Sequence, residues 1–415
     1  MLVTVARLRP GVPSNLNAFC VADYGKGTSP KLWGFPDFKR NTLKEYFYEK
    51  SYRTRKLTKR HDTYSAGYYN HFYGEQQDSQ EDVRIANTNN YFHDFSIISV
   101  YHPIVDDRCN RLFTLDTGVL SYGLTVTYNV KNPSITVYEL PSNGCTSRKF
   151  PVIRRVDIPN HLWQFPVGFV HIALDYQSRG SCDDLFLYIT NCFDNSIIVF
   201  DYLRGDFWSF TDSSMKPIAA QASMVFGKSF NYEFNFGIMN VALGWPIDKA
   251  GNRKAYYAAG ASLGEYAVST KLLKNSKKAQ NKYSEDDFHF IGYRGCDSQI
   301  DRQVFDHSTG VMFFGEMQSN KIRCWNTKLP LNPDTIGVVM ESDALQYISE
   351  IFVDSEGYLW CHSCQLPIVY LSDSPLNTKK INSRTFRMKV LDVIKGTVCD
   401  VSNYKLEGDF YLEDE

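Results

Sequence analysis

One short pattern recurs along the chain: a hydrophobic residue, an aspartate, a tight polar turn and an aromatic-rich strand. It occurs as VDDRCNRLFTLD (105–116), LDYQSRGSCDDLFLYITN (174–191), IDKAGNRKAYYAAG (247–260), FDHSTGVMFFGE (305–316) and VDSEGYLWCHS (353–363). The aspartate carboxylate can accept backbone N–H groups just ahead of it, and Gly or Asn supplies the positive φ of the turn. Each copy therefore reads as a hairpin, repeated at intervals of roughly 50 to 75 residues.

Most copies continue into a further strand, at DNSIIVFDY (194–202), LGEYAVST (263–270), SNKIRCWNT (319–327) and QLPIVYLSD (365–373). RGDFWSF (204–210) adds a fourth strand to the second copy. Four-stranded antiparallel units at this period predict an all-β, six-bladed β-propeller over residues 1–415, with 2–23 contributing to a further blade. Period-2 patterning without long 3.6-period segments excludes a helical solenoid. The chain opens abruptly on strand-like residues Leu2 to Ala6, so the first blade is expected to be incomplete, with a leader and first strands missing. Residues from about 46 to 90 break the pattern. Polar and Tyr-rich, with a basic run before an acidic one, they read as a solvated insertion between blades or a partner-binding or cross-linking loop.

Composition narrows the function. Apolar residues make up 43% of 415, enough for a large core, and aromatics reach 15%, which suits β-structure. A net charge of −1 argues against nucleic acid as partner. No apolar run is long enough to cross a bilayer as a helix, so no membrane partner is expected. There is no G-x-S-x-G, Walker A, H-E-x-x-H or G-x-G-x-x-G motif. The ten cysteines include a single C-x-x-C, Cys361 to Cys364, which falls short of a zinc ribbon. No metal or cofactor is expected.

The segments VTVARLRPGVPSNLN (3–17), VDDRCNRLFTLDTG (105–118), AYYAAGASLGEYAVSTKLLKN (255–275), RCWNT (323–327) and GTVCD (396–400) together resemble the insect yellow / major royal jelly protein family. The resemblance implies a secreted six-bladed propeller. It implies disulfides Cys109–Cys182 and Cys324–Cys399, and leaves the pairing of Cys20, Cys145, Cys192, Cys296, Cys361 and Cys364 open. Such bridges belong to an oxidising, extracellular setting.

Propellers bind ligands at the central channel. Asp116, Asn191, Glu316, Ser349 and Glu350 sit at the strand ends expected there. With three acids among them, the channel mouth is expected to be electronegative and to favour a cation. The resemblance to amine-binding salivary members matches their threonine, asparagine and aromatic to Ser349, Cys364 and Leu366. The hydroxyl is kept, while the amide and the ring are lost, so any amine should bind weakly, at about micromolar or poorer. A calcium set of Glu350, Asn191 and Asp116, as in lactonase propellers, is a lesser alternative.

The expected function is that of a non-catalytic yellow-family protein in cuticle or eggshell pigmentation and hardening. Its expected partners are an aromatic amine or catechol and matrix proteins of the cuticle or eggshell. The alternative is a dopachrome-converting enzyme, for which Glu316, Glu350 or Asp116 could serve as the base.

Overall fold

The computed structural model describes residues 1–8, 12–23, 29–41, 96–122, 126–141, 150–372 (save 179, 228, 281, 282 and 284) and 376–403 (save 378). The insertion expected over 46–90 lies outside them. Among the described residues, six sheets of three or four antiparallel strands form the blades of a six-bladed β-propeller, and two further hairpins accompany them. The chain divides into two compact units, 1–160 with 164–167, and 161–163 with 168–415.

The first unit holds two blades. One is the three-stranded sheet β1 (Leu2–Thr4), β2 (Leu16–Ala18) and β3 (Trp33–Gly34). The other contains β4 (Val100–Asp106), β5 (Arg111–Asp116), β8 (Ser134–Glu139) and β9 (Val152–Asp157). The hairpin β6 (Val119–Tyr122) and β7 (Val126–Asn129) projects between β5 and β8. Buried Arg7, from the RLRP motif, donates to the carbonyls of Ile97, Ile98 and Asn41 and so holds the start of the chain beside the entry to β4.

The second unit holds four blades. They are β10 (Phe169–Tyr176) to β13 (Asp206–Thr211) with β11 (Leu185–Asn191) and β12 (Ser196–Asp201), then, after the hairpin β14 (Ser223–Phe226) and β15 (Phe230–Glu233), β16 (Ile238–Pro246) to β19 (Phe288–Tyr293) with β17 (Arg253–Ala259) and β18 (Gly264–Ser269). The third is β20 (Ile300–Asp306), β21 (Val311–Glu316), β22 (Lys321–Asn326) and β23 (Ile336–Glu341). The last is β24 (Tyr347–Val353), β25 (Tyr358–Cys364) and β26 (Ser383–Lys389).

The repeated aspartates act as the sequence requires. Asp248 Oδ1 accepts the N–H groups of Ala250 and Asn252, and Asp354 Oδ1 those of Glu356 and Tyr358. Positive φ falls on Asn110, Gly251, Gly310 and Gly357. Gly310 is doubly constrained, because a Cβ there would lie 2.2 Å from the Trp245 ring. The second copy differs. Asp175 is buried and bonded by the Tyr188 hydroxyl at 2.8 Å and the Lys274 ammonium at 2.9 Å, so it anchors its blade from inside rather than closing a turn.

One expected strand is a helix. QLPIVYLSD carries the helix Leu366–Leu371, with Pro367 in its first turn, where a missing N–H leaves no bond unmade. The third strand of the last blade comes later, at β26.

The blades of the second unit stack face to face. Tyr188, Val199, Trp208 and Phe210 pack against Ile238, Val241, Tyr257 and Phe288. Ala242, Tyr256 and Ala258 pack against Phe305, Met312, Phe314 and Trp325. Val311, Phe313 and Ile322 meet Ile348, Ile351 and Leu359, and this last interface contains the disulfide Cys324–Cys399, with an S–S distance of 2.11 Å. Cys20, Cys109 and Cys182 are each disulfide-bonded as well. Cys192, Cys296, Cys361 and Cys364 are free thiols.

Between the blade β16–β19 and the blade β20–β23, Arg294 is fully buried. It donates to Glu265 at 2.7 Å and to the carbonyls of Ser262, Gly264 and Ser298. Gln303 donates to the other Glu265 oxygen at 2.8 Å. Burial nevertheless pushes the Glu265 carboxyl from 4.5 to about 7, against the pull of Arg294.

Two predictions follow from these contacts. The Cys324–Cys399 bridge spans 75 residues, so Cys324→Ser with Cys399→Ser should lower unfolding free energy by about 4 kcal/mol in urea titration. Because folded Glu265 keeps its proton to higher pH than the unfolded carboxyl, its contribution to stability is lost as pH rises from 4.5 to about 7. Glu265→Gln should flatten that fall, read as urea midpoints across this window; an unchanged pH slope would remove Glu265 as its source.

Candidate functional site

The innermost strands of the second unit share a local irregularity. Each carries one extra residue near its start, a β-bulge opposite the following strand. These residues are Val170 in β10, Met239 in β16, Asp301 in β20 and Ser349 in β24. A bulge turns side chains away from the regular alternation and locally sharpens the twist. Here it gathers polar groups from several blades. Arg302 Nη2 donates to the Val170 carbonyl at 3.1 Å, joining residues 132 apart in sequence.

Asp301 is the hub. Its Oδ1 accepts from Arg302 Nη1 at 2.5 Å and its Oδ2 from the Tyr347 hydroxyl at 2.9 Å. Arg302 Nε approaches Glu350 Oε2 at 3.9 Å. Two carboxylates thus face one guanidinium in a largely buried setting. Tyr232, on the β14–β15 hairpin, is 6% exposed, and its hydroxyl has no hydrogen-bond partner. Burial, then the nearby Asp301 charge, push its phenol pKa up, so it stays a neutral donor. Tyr347 behaves likewise, raised first by burial and then by Asp301.

Around these polar groups lies an aromatic wall. Phe234 and Phe236 meet edge to face with centroids 4.5 Å apart, Phe193 lies 5.4 Å from Phe236, and Phe234 lies 6.2 Å from Tyr347. Cys192, Met239 and Met317 are buried in the same cluster, and Cys364 and Leu366 are half-buried against it. Burial raises the Cys364 thiol pKa, while hydrogen bonds with the Ser349 hydroxyl and the Leu366 N–H oppose the rise.

Of the residues anticipated from sequence, Ser349, Glu350, Cys364 and Leu366 belong to this cluster. Asp116, Asn191 and Glu316 end second strands, and their side chains are engaged locally. Asp116 accepts the N–H groups of Ile98, Ser99 and Gly118 and pairs with Lys131 at 2.9 Å. Burial alone would raise its pKa, but Lys131 and these N–H groups outweigh it and hold the carboxyl low. Asn191 bonds Asp194 and the N–H groups of Phe193 and Asp194. Glu316 pairs with Arg323 at 2.9 Å and accepts from Ser319.

The electronegativity expected from Asp116, Glu316 and Glu350 is therefore offset, since each has a cationic neighbour. Of the calcium set, Asp116 and Asn191 are each bonded within their own local surroundings. Among the described residues, no three or more His, Cys, Asp or Glu side chains gather as metal ligands.

Sequence reading missed Asp301, Arg302, Tyr347 and Tyr232. The one available signal was the adjacent charged pair in QIDRQVFD, in a strand that leads into a repeated aspartate and is otherwise buried.

The model for the major royal jelly protein family matches residues 98–399. The yellow-related salivary protein SP03 of Phlebotomus perniciosus is 36% identical, over 74% of this chain and 75% of its own. The yellow-related salivary protein M35 of Phlebotomus duboscqi is 33% identical, over 72% and 73%. The L-dopachrome tautomerase yellow-f of Drosophila melanogaster is 29% identical, over 96% of this chain and 79% of its own. With a family match across most of its length, and blades built from the repeats that carried the first resemblance, the chain belongs to the major royal jelly protein family.

Proposed function

We propose that this chain is a secreted, non-catalytic binder of a small aromatic amine or catechol, held at the Asp301–Tyr347 cluster, acting in the pigmentation and hardening of cuticle or eggshell. The unpartnered hydroxyl of Tyr232 carries the reading. A buried hydroxyl without a partner is unfavourable by roughly 1–3 kcal/mol, and a ligand group placed against it relieves that. The carboxylates of Asp301 and Glu350 suit an ammonium or a catechol hydroxyl, and the aromatic wall suits a ring. Salivary relatives and the Cys324–Cys399 disulfide support secretion.

Dopachrome conversion is the second reading, supported by the match to yellow-f over 96% of this chain. It requires a base free to take a proton beside a carbonyl. Asp301 is bonded to both Arg302 and Tyr347, which leaves Glu350, with its side chain 27% exposed, as the better base.

Calorimetric titration with dopamine, serotonin and a carboxylate analogue tests the first reading. Amines should bind with Kd of about micromolar, and Asp301→Asn should weaken them by about tenfold. Preference for the carboxylate would overturn it. Cys364→Asn, which restores the amide of the amine-binding members, should tighten amine binding by about tenfold. Dopachrome decay followed by absorbance separates the readings, since decay faster than with heat-killed protein and lost in Glu350→Gln would establish the enzyme.

A further inference from the structure

We infer that Cys364 is a covalent trap for ortho-quinones, the two-electron oxidation products of catechols. The inference rests on the proposed binding of aromatic rings at this cluster and adds a reaction to it.

Cys364 is a free thiol and half-buried. It lies against the same aromatic cluster as Tyr232. Tyr347 stands opposite Cys364 in the β24–β25 ladder and its hydroxyl bonds Asp301 at 2.9 Å, while Tyr232 on the β14–β15 hairpin joins the same cluster. The thiol alone would not make a site. The independent observation is the Tyr232 hydroxyl, 6% exposed and unpartnered, in that cluster. A protonated phenol is a donor, and a quinone presents two carbonyl acceptors. A catechol ring lacks such strong acceptors, so this donor favours the oxidised form of the same ring.

The chemistry closes without another reactant. The Cys364 sulfur attacks an unsubstituted ring carbon and an S–C bond forms. The electron pair displaced from the conjugated system reduces the quinone by two electrons. The thiol proton and the hydrogen from the attacked carbon end on the two oxygens. The product is a catechol thioether, and the sulfur is the group oxidised.

The other free thiols are placed differently. Cys192 and Cys361 are buried, at 5% and 1% exposure, and Cys296 is exposed and outside the cluster. Burial raises the Cys364 pKa, which suppresses its reaction with freely diffusing electrophiles. A ring held against the aromatic wall overcomes this through proximity. Cys296 is thus the built-in reference for unassisted reaction.

The test treats the full chain with 4-methyl-ortho-quinone made from 4-methylcatechol, followed by peptide mass mapping with time. Cys364 should acquire the adduct about tenfold faster than Cys296. The dimethyl ether of dopamine, which cannot form a quinone, should slow Cys364 and leave Cys296 unchanged. Tyr232→Phe should slow Cys364 alone, with its thermal midpoint confirming the fold. Cys364→Ser should abolish the internal adduct and leave labelling of Cys296 unchanged. Labelling of Cys364 no faster than Cys296, with dopamine binding intact, overturns the trap and leaves the binding reading standing. Loss of dopamine binding in the unmodified chain overturns both.

Discussion

A β-sheet that is apolar on both faces cannot remain in water alone, and this constraint organises the second unit. β12 is buried along its whole length, and so is β21. Each needs a neighbour on either side, which the next blade supplies. The interfaces are rich in large rings: Tyr188, Trp208 and Phe210 on one sheet meet Tyr257 and Phe288 on the next, and Tyr256 meets Phe305 and Trp325. Rings cover much area with few rotatable bonds, so they suit faces that must be filled without large entropic loss.

Stacking sheets in this way leaves polar strand ends inside the protein. Most are satisfied where they arise, as Asp116, Asn191 and Glu316 are by their own turns and cations. Arg7 and Arg294 do the same work for backbone carbonyls. Against this background, the Asp301 cluster stands apart. Its groups come from separate blades, and the buried Tyr232 hydroxyl in the cluster around it has no hydrogen-bond partner. Bulges near the starts of four innermost strands produce it, because each inserts a residue where the ladder would otherwise impose strict alternation.

Much of the fold was legible in the chain. Asp248, Asp306 and Asp354 announced hairpins because an aspartate before Gly or Asn has a local job that needs no distant partner. The segment 365–373 was misread because apolar alternation over a few residues does not separate a strand from a short helix; Pro367 was the cue. In the site, Cys364 and Leu366 were found through family resemblance, Ser349 through resemblance and repeat position, and Glu350 through repeat position. Asp116, Asn191 and Glu316 were chosen by repeat position, which locates a strand end but not the direction or partners of its side chain.

By itself, then, the sequence determined the blade repeat, its turns and the family, because those rest on contacts between residues close along the chain or on short motifs read directly. Only the tertiary structure decided where charge accumulates. Asp301, Tyr347 and Tyr232 are separated by tens of residues, and what brings them into one cluster is the register of three different hairpins and the bulges in two of them. Register is set by which faces are buried against neighbouring blades, a cooperative property of the packed protein that no local stretch encodes.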